Sequence, residues 1–338
     1  MADHGVAHYD TPHTIVAKLF LPKAKAAGQP RLNKDISMRF SFWPVNGQPW
    51  ETVLTLAQHV ERTGWDGIWY ADHFMPNTDS AEGAAHEVWS TLSALAVAVP
   101  RLRLGPLVLG NTYRHPAVVA NMAATLDHIS GGRLVLGMGA GWQENEHSKY
   151  ALDYHTVGTR LRMLDEACRV IKALFNEERA NFDGRYYQLT DAPLDPKPLQ
   201  SPLPLMIGGG GEKVTLRIVA QLADEWNVWG DVAHLKHKMS VLDQHCDKQG
   251  RDPASIARSA AVLVHLSDDP AFVKRIREEP QPRATIAGNA SQLAEIVAEY
   301  AAAGVDELIV PDFHLPHGTQ KTEFLDQFIE EVAPAGRQ

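Results

Sequence analysis

Apolar and polar residues follow two periods along this chain, and the periods alternate. From Ile36 onward, short apolar or β-branched runs give way to stretches in which apolar residues recur every three or four positions, and then the short runs return. The pattern predicts a strand over 38–43 and a helix over 50–62, with Val53, Leu54, Ala57 and Val60 on one face. A strand over 67–71, a helix over 88–99, a strand over 102–109, a helix over 117–129 and a strand over 133–139 follow. A longer excursion then runs from Gly141 to about Val157 and leads into a helix ending near Phe175. Asp183-Gly184, a dipeptide that tolerates positive φ, predicts a hairpin over 181–189. Beyond it come a strand over 203–207, a helix over 212–222, a strand over 225–229, a helix over 234–249 and a strand over 258–266. A helix over 292–303 stops at Gly304, which suits the left-handed residue after a helix. An eighth strand over 307–310 and a last helix before Pro334 complete the pattern.

Eight strands alternating with helices imply parallel strands joined by right-handed crossovers. The expected fold is α/β, a (β/α)8 TIM barrel with an insertion after strand four; an open doubly wound sheet is the alternative. No change of composition marks a linker, so residues 36–334 are expected to form a single domain. Residues 1–35 lack periodicity and are expected to be an arm, either disordered or laid on a partner subunit. The apolar run from Ile15 to Leu21 is short and broken by Lys18, unlike a signal peptide, and nothing approaches the ~20 apolar residues of a membrane span. A cytoplasmic protein without membrane contact is expected. The formal charge of −9 argues against a nucleic-acid partner. Cys168 and Cys246 both fall in helical segments and are expected to be buried thiols, since two cysteines make neither a disulfide framework nor a metal cluster.

In such a barrel the chemistry sits where strands end. Strand two ends in Asp72-His73, strand three in Gly110-Asn111-Thr112-Tyr113-Arg114, and strand four in Gly139-Ala140-Gly141-Trp142-Gln143-Glu144-Asn145-Glu146. Strand five runs into Gly208-Gly209-Gly210-Gly211-Glu212-Lys213, and strand six carries Trp226, Asn227 and Trp229. Four glycines before a helix start let backbone N–H groups approach a phosphate, and the helix N-terminus adds about half a positive charge. A merely flexible turn is the structural alternative. The run is no Walker A loop, because neither Ser nor Thr follows Lys213. The glycines at 137, 139 and 141 do not spell GxGxxG, and they read better as space for a flat ring beside Trp142. His73 ends a strand behind a carboxylate, which suits proton transfer or a hydride site, a satisfied rim histidine being the alternative. The other spacings among the 16 histidines, such as His234–His237 and His314–His317, match no metal-ligand pattern, and no metal is expected. Neither G-x-S-x-G nor a catalytic cysteine signature is present, so hydrolase chemistry has no support.

Taken together, Trp69-Tyr70-Ala71-Asp72-His73, Arg114-His115-Pro116, Leu126-Asp127-His128-Ile129-Ser130-Gly131-Gly132-Arg133, Asp195-Pro196-Lys197-Pro198, Ile207-Gly208-Gly209-Gly210-Gly211 and Ala223-Asp224-Glu225-Trp226-Asn227 resemble the luciferase-like monooxygenase superfamily over roughly 38–333. Within it the chain is most similar to the branch that uses the deazaflavin coenzyme F420. The resemblance implies an oxidoreductase that moves a hydride between the deazaflavin and a small organic substrate, with the cofactor phosphate on Gly208, Gly209, Gly210 and Gly211. It implies cofactor contacts from Asp72, Gly110, Asn111, Ala140, Asn145, Glu212 and Trp226. It places His73 near the reacting carbon, and a non-prolyl cis peptide at Leu107-Val108 behind the ring. Trp69, Trp142 and Trp226 would wall an apolar substrate pocket. Relatives that oxidise sugar phosphates carry an acidic proton donor where this chain has Trp142, so glucose 6-phosphate is not expected as substrate. Glu225 stands where relatives often have Gly. The rival reading is an FMN-dependent monooxygenase using reduced flavin and dioxygen; a flavin-binding protein without catalysis is a third. The deazaflavin differs from FMN in a long anionic tail, for which Arg114 and Lys213 are the candidate partners. The family commonly forms homodimers, and one is expected.

Overall fold

The computed structural model describes residues 37–337, and the expected arm over 1–35 lies outside them. Among the described residues there are thirteen strands and ten α-helices. The strands are β1 (Arg39–Trp43), β2 (Gly67–Tyr70), β3 (Arg103–Pro106), β4 (Leu109–Gly110), β5 (Leu136–Gly139), β6 (Ala180–Asp183), β7 (Gln188–Ala192), β8 (Leu205–Gly208), β9 (Glu225–Trp229), β10 (Ala257–Ala261), β11 (Leu263–Leu266), β12 (Thr285–Gly288) and β13 (Glu307–Pro311). The helices are α1 (Trp50–Arg62), α2 (Val88–Ala98), α3 (Pro116–Ser130), α4 (Glu144–Tyr150), α5 (Val157–Asn176), α6 (Thr215–Leu222), α7 (Val232–Gln249), α8 (Pro270–Glu278), α9 (Ala290–Ala302) and α10 (Thr319–Gln327).

The main sheet is parallel throughout, in the order β3-β2-β1-β13-β10-β9-β8-β5-β4. A bridge from Leu104 to Leu134 ties β3 to the chain entering β5 and brings the sheet almost to closure. β3 and β4 are two halves of one expected strand, parted at Leu107-Val108, whose peptide bond is cis. Counted as one, they give the eight strands of a TIM-type barrel. Helix α5 packs between α3 and α6 as the crossover helix, and α4 ahead of it and the antiparallel hairpin β6–β7 behind it are the insertions between β5 and β8.

One expected strand divides. The run 258–266 has an unbroken apolar centre over 260–264, but only β10 belongs to the barrel. Val262 still donates to the Ile309 carbonyl (3.2 Å), and the next residue, Leu263, donates to Ala284 instead (2.9 Å). β11 thus leaves the barrel and pairs in parallel with β12. Helix α8 and strand β12 were not expected at all; α8 buries only Val273, so its apolar stripe is too thin to stand out.

The barrel interior is layered. Arg39, Arg103, Glu225 and Glu307 are the first residues of β1, β3, β9 and β13 and meet at its N-terminal end. Arg103 pairs with Glu225 (2.6 Å) and with Glu307, which also accepts from Arg39, from the Ser41 hydroxyl and from the Trp69 indole N–H (2.8 Å). This is the account of Glu225 that sequence alone did not supply: it balances an arginine inside the barrel. Burial opposes the charge on Glu307, but Arg103 and Arg39 outweigh it and hold the carboxyl below the usual range. Above this plug lies a small apolar layer that includes Leu107, Val135, Met206 and Ile309. The larger core fills the space between the sheet and its helices.

Candidate functional site

The cavity opens at the C-terminal ends of the barrel strands and has a volume of about 850 Å³. Its back is built from glycines around one valine. A Cβ on Gly139 would lie 2.6 Å from a Val108 methyl, and one on Gly208 would lie 2.9 Å from it. Only glycine at both places leaves room for the Val108 side chain, which lines the cavity. Ala140 and Gly141 continue the wall, and Gly209 continues the chain at φ +127°, a conformation that suits glycine. The Gly209 N–H donates to Asn227 (2.9 Å), and its carbonyl accepts from the Trp226 indole N–H (2.9 Å). No group of the described residues accepts from the N–H groups of Gly210 and Gly211. Helix α6 starts at Thr215, three residues later than expected.

At the end of β2, Asp72 and His73 line the cavity with different partners. Asp72 is 2% exposed, and Arg114 grips both its oxygens (2.8 and 3.1 Å) while the Gly110 N–H donates to one of them (3.0 Å). Burial pushes the Asp72 carboxyl up, and Arg114 offsets that only in part. Arg114 also holds Glu87 (2.9 Å), whose carboxylate caps α2 through the Ser90 N–H (2.7 Å). His73 meets Glu146 from α4, with Nδ1 3.2 Å from Oε2. Glu146 is fully buried and accepts from the Tyr113 hydroxyl, the Phe74 N–H and the Met75 N–H (3.3 Å). Burial works to raise this carboxyl, but the hydrogen bonds from His73 and Tyr113 outweigh it and hold it below the usual range. An ionised carboxylate only accepts, so His73 Nδ1 carries the proton and Nε2 is left free to act. Trp142, 53% exposed, stands edge-on to His73 at 5.4 Å between ring centres.

Of the residues singled out in the sequence, the cavity is lined by Asp72, His73, Leu107, Val108, Gly110, Ala140, Trp142, Gly208, Gly209 and Gly210. Others, among them Arg114 and Lys213, do not border it. Trp69 is fully buried in the barrel and bonded to Glu307, which corrects its expected place on the substrate wall. Trp226 likewise supports the glycine run from behind. Asn111 is buried against the Tyr187 hydroxyl (3.2 Å), Gly211 receives the Leu216 N–H, and Glu212 is held by Lys238 (2.6 Å) and His237 (2.9 Å). Asn145 donates to the carbonyls of Pro76 (2.9 Å) and Thr78 (3.2 Å) and so ties down the loop that carries Asn77 to the cavity. Arg114 is not a free rim cation either, since Asp72 and Glu87 consume its charge.

The aromatic wall is made instead by Trp43, Trp229 and Phe313, with Trp43 5.7 Å from Trp229 and 5.1 Å from Phe313. Trp43 and Trp229 are the last residues of their strands; Trp229 was among the strand-six residues singled out in the sequence, and Trp43 carried the same signal but was passed over. Glu146 lay within the run after strand four, but nothing local marked it as the partner of His73. Arg283, which also lines the cavity, precedes β12 rather than following a barrel strand, and no sequence signal led to it.

The chain belongs to the luciferase-like monooxygenase family, which matches residues 36–308. It is 29% identical over 317 residues to an F420-dependent glucose-6-phosphate dehydrogenase of Kineococcus radiotolerans, covering 83% of this chain and 92% of that protein. Among solved structures, it resembles the coenzyme F420 dependent tetrahydromethanopterin reductase from Methanopyrus kandleri, with a TM-score of 0.74 and 20% identity over 88% of this chain and 99% of that one. A similar likeness holds to an F420-dependent secondary alcohol dehydrogenase solved with an F420-acetone adduct, with a TM-score of 0.76 and 20% identity over 89% of this chain and all of that one.

Proposed function

We propose that this protein is a coenzyme F420-dependent oxidoreductase that transfers a hydride between the deazaflavin and a small organic substrate. The observation that carries the reading is the strand-end cavity, in which Val108 rises between Gly139 and Gly208 and two backbone N–H groups of the glycine run have no internal acceptor. The relatives named above support deazaflavin rather than FMN.

The residues present fit a flat ring with a phosphate-bearing chain. The free N–H groups of Gly210 and Gly211, at the end of the glycine run over 208–211, would take the phosphate, and Val108, Ala140 and Gly141 would back the ring. When bound, the deazaflavin supplies a carbon that accepts or gives the hydride, and the protein supplies orientation and electrostatics. Glu146 fixes the His73 ring with the proton on Nδ1, so Nε2 can accept a proton from the reacting hydroxyl in oxidation and return it in reduction. Asp72 stays buried against Arg114 and holds the β2 and β4 ends together beneath His73. Trp43, Trp142, Trp229 and Phe313 keep water from the reacting centre. Trp142 lacks the acid that a sugar-phosphate oxidation would use at that position, so glucose 6-phosphate is not the substrate proposed.

The test is paired calorimetric titration of the apo protein with oxidised deazaflavin and with FMN. Selective binding of the deazaflavin supports the reading; selective binding of FMN moves the protein to the oxygen-using monooxygenases. His73→Ala should keep deazaflavin affinity and lower turnover by about 10²- to 10⁴-fold, the range for a lost acid–base group. Loss of cofactor binding in that variant would count against a catalytic role. A single domain over 36–334, a cytoplasmic location and a homodimer are further parts of the proposal, checked by limited proteolysis, fractionation and sizing. Among the described residues, no helix is long and apolar enough to cross a membrane.

A further inference from the structure

Two of the aromatic side chains that wall the cavity stand where strands end, Trp43 at the end of β1 and Phe313 just beyond β13. Behind them lies an ion pair that does not border the cavity. The side chains of Lys321, on α10, and Asp312 are 3% and 0% exposed, with Nζ 2.6 Å from Oδ2. Gln48, also buried, donates to the same oxygen (2.8 Å) and accepts from Lys321 (3.1 Å). The other carboxylate oxygen accepts from the Val45 N–H (2.7 Å), and the Asp312 N–H donates to the Trp43 carbonyl (3.1 Å). One residue thus ties the chain leaving β1, the end of β13 and α10 to a single point. Stability does not account for such a pair. Two buried charges seldom do better than two apolar side chains of the same volume, because lost hydration offsets their attraction. What the pair does supply is direction, since each of these hydrogen bonds accepts a narrow range of angles. The backbone it directs sets Trp43 edge-on to Phe313 (5.1 Å between ring centres) and beside Trp229 (5.7 Å).

We propose that Asp312 and Lys321 are positioning residues of the substrate wall: the buried pair holds Trp43 and Phe313 in place and so sets the affinity for an apolar substrate body, without acting on the cofactor half of the cavity. That half is backed by Val108, Gly139 and Gly208, and the bonds of Asp312, Lys321 and Gln48 run to other residues. The inference rests on the proposed reading that this cavity receives a substrate beside the deazaflavin.

Two indoles this close couple their electronic transitions, so Trp43 and Trp229 should give an exciton couplet in the far-ultraviolet circular dichroism of the full chain without cofactor. Trp43→Phe removes the couplet and supplies the baseline. The double variant Asp312→Leu/Lys321→Met replaces both charges with apolar groups of similar volume. It is expected to unfold in urea at a midpoint close to that of the wild type, yet to lose the couplet, because Val45 and Gln48 no longer have their acceptor. Asp312→Asn/Lys321→Met keeps an oxygen for Val45, and its couplet should lie between the baseline and the wild type. Calorimetric titrations complete the test. With oxidised deazaflavin bound, the leucine-bearing variant should bind benzyl alcohol, a neutral ring with one hydroxyl, about three- to tenfold more weakly than the wild type, the worth of one aromatic contact. Its deazaflavin affinity should stay within about twofold, as for groups that share no partner. A couplet of wild-type size in either double variant overturns the proposal, as does a wild type no different from Trp43→Phe, or an unchanged affinity for benzyl alcohol once the couplet is gone. A couplet lost together with deazaflavin affinity and urea midpoint also overturns it, since that marks general loosening. If the protein takes FMN and not the deazaflavin, the cofactor reading fails, while the couplet still decides the proposal on the cofactor-free chain.

Discussion

Glu146 is a fully buried carboxylate that accepts from four donors, two of them backbone N–H groups. Glutamine in its place keeps the shape but turns one acceptor into a donor that faces donors. Glu146→Gln should therefore cost about 1–3 kcal/mol of stability at pH 7, read by urea unfolding. The sign of the pH dependence follows from the folded carboxyl lying below its unfolded value of about 4.3. Its stabilisation is full above that value and is lost as pH falls through the folded pKa. The gap between wild type and variant should shrink on going from pH 7 to below about pH 4; a gap that widens there contradicts the ionised assignment. His73 could be read from sequence because it ends a strand behind Asp72. Its partner could not, since the two are 73 residues apart and meet only when α4 packs over the end of β2.

The turn from β8 into α6 and the break between β3 and β4 together shape the back of the cavity. The glycines at 139 and 208 have contact reasons that local patterns do not express, because both are set by Val108 on another strand. Gly208→Val should force Val108 aside and weaken deazaflavin binding about tenfold or more, at the usual 1–3 kcal/mol of overpacking, with the circular dichroism spectrum unchanged. Unaltered affinity would show that Val108 does not set the back of the cofactor site. Element boundaries were legible where one period ran uninterrupted: α1 falls over 50–62 and β9 over 225–229, as the pattern predicts. They failed at 258–266, where the apolar centre over 260–264 changes partner between Val262 and Leu263, and at α8, which buries too little to leave a stripe.

Across the barrel as a unit, the lower end is closed by two arginines and two glutamates drawn from four strands that are distant in sequence. Removing one arginine strands carboxylates inside the barrel. Arg103→Met should cost about 3–5 kcal/mol, measured by urea unfolding at pH 7, because the loss leaves buried charge without a partner. A cost below about 1 kcal/mol would mean that water reaches the network and screens it. The alternation of the two hydrophobic periods was enough to specify parallel strands, crossover helices and the end of the barrel that carries chemistry, because burial on both faces of a strand and on one face of a helix is written directly in residue order. It could not specify which side chains face one another across the barrel. The pairing of Arg114 with Asp72, the seating of His73 on Glu146 and the withdrawal of Trp69 into the core all depend on contacts between distant segments. Such contacts exist only once the strands close into a ring and each side chain is committed to one face.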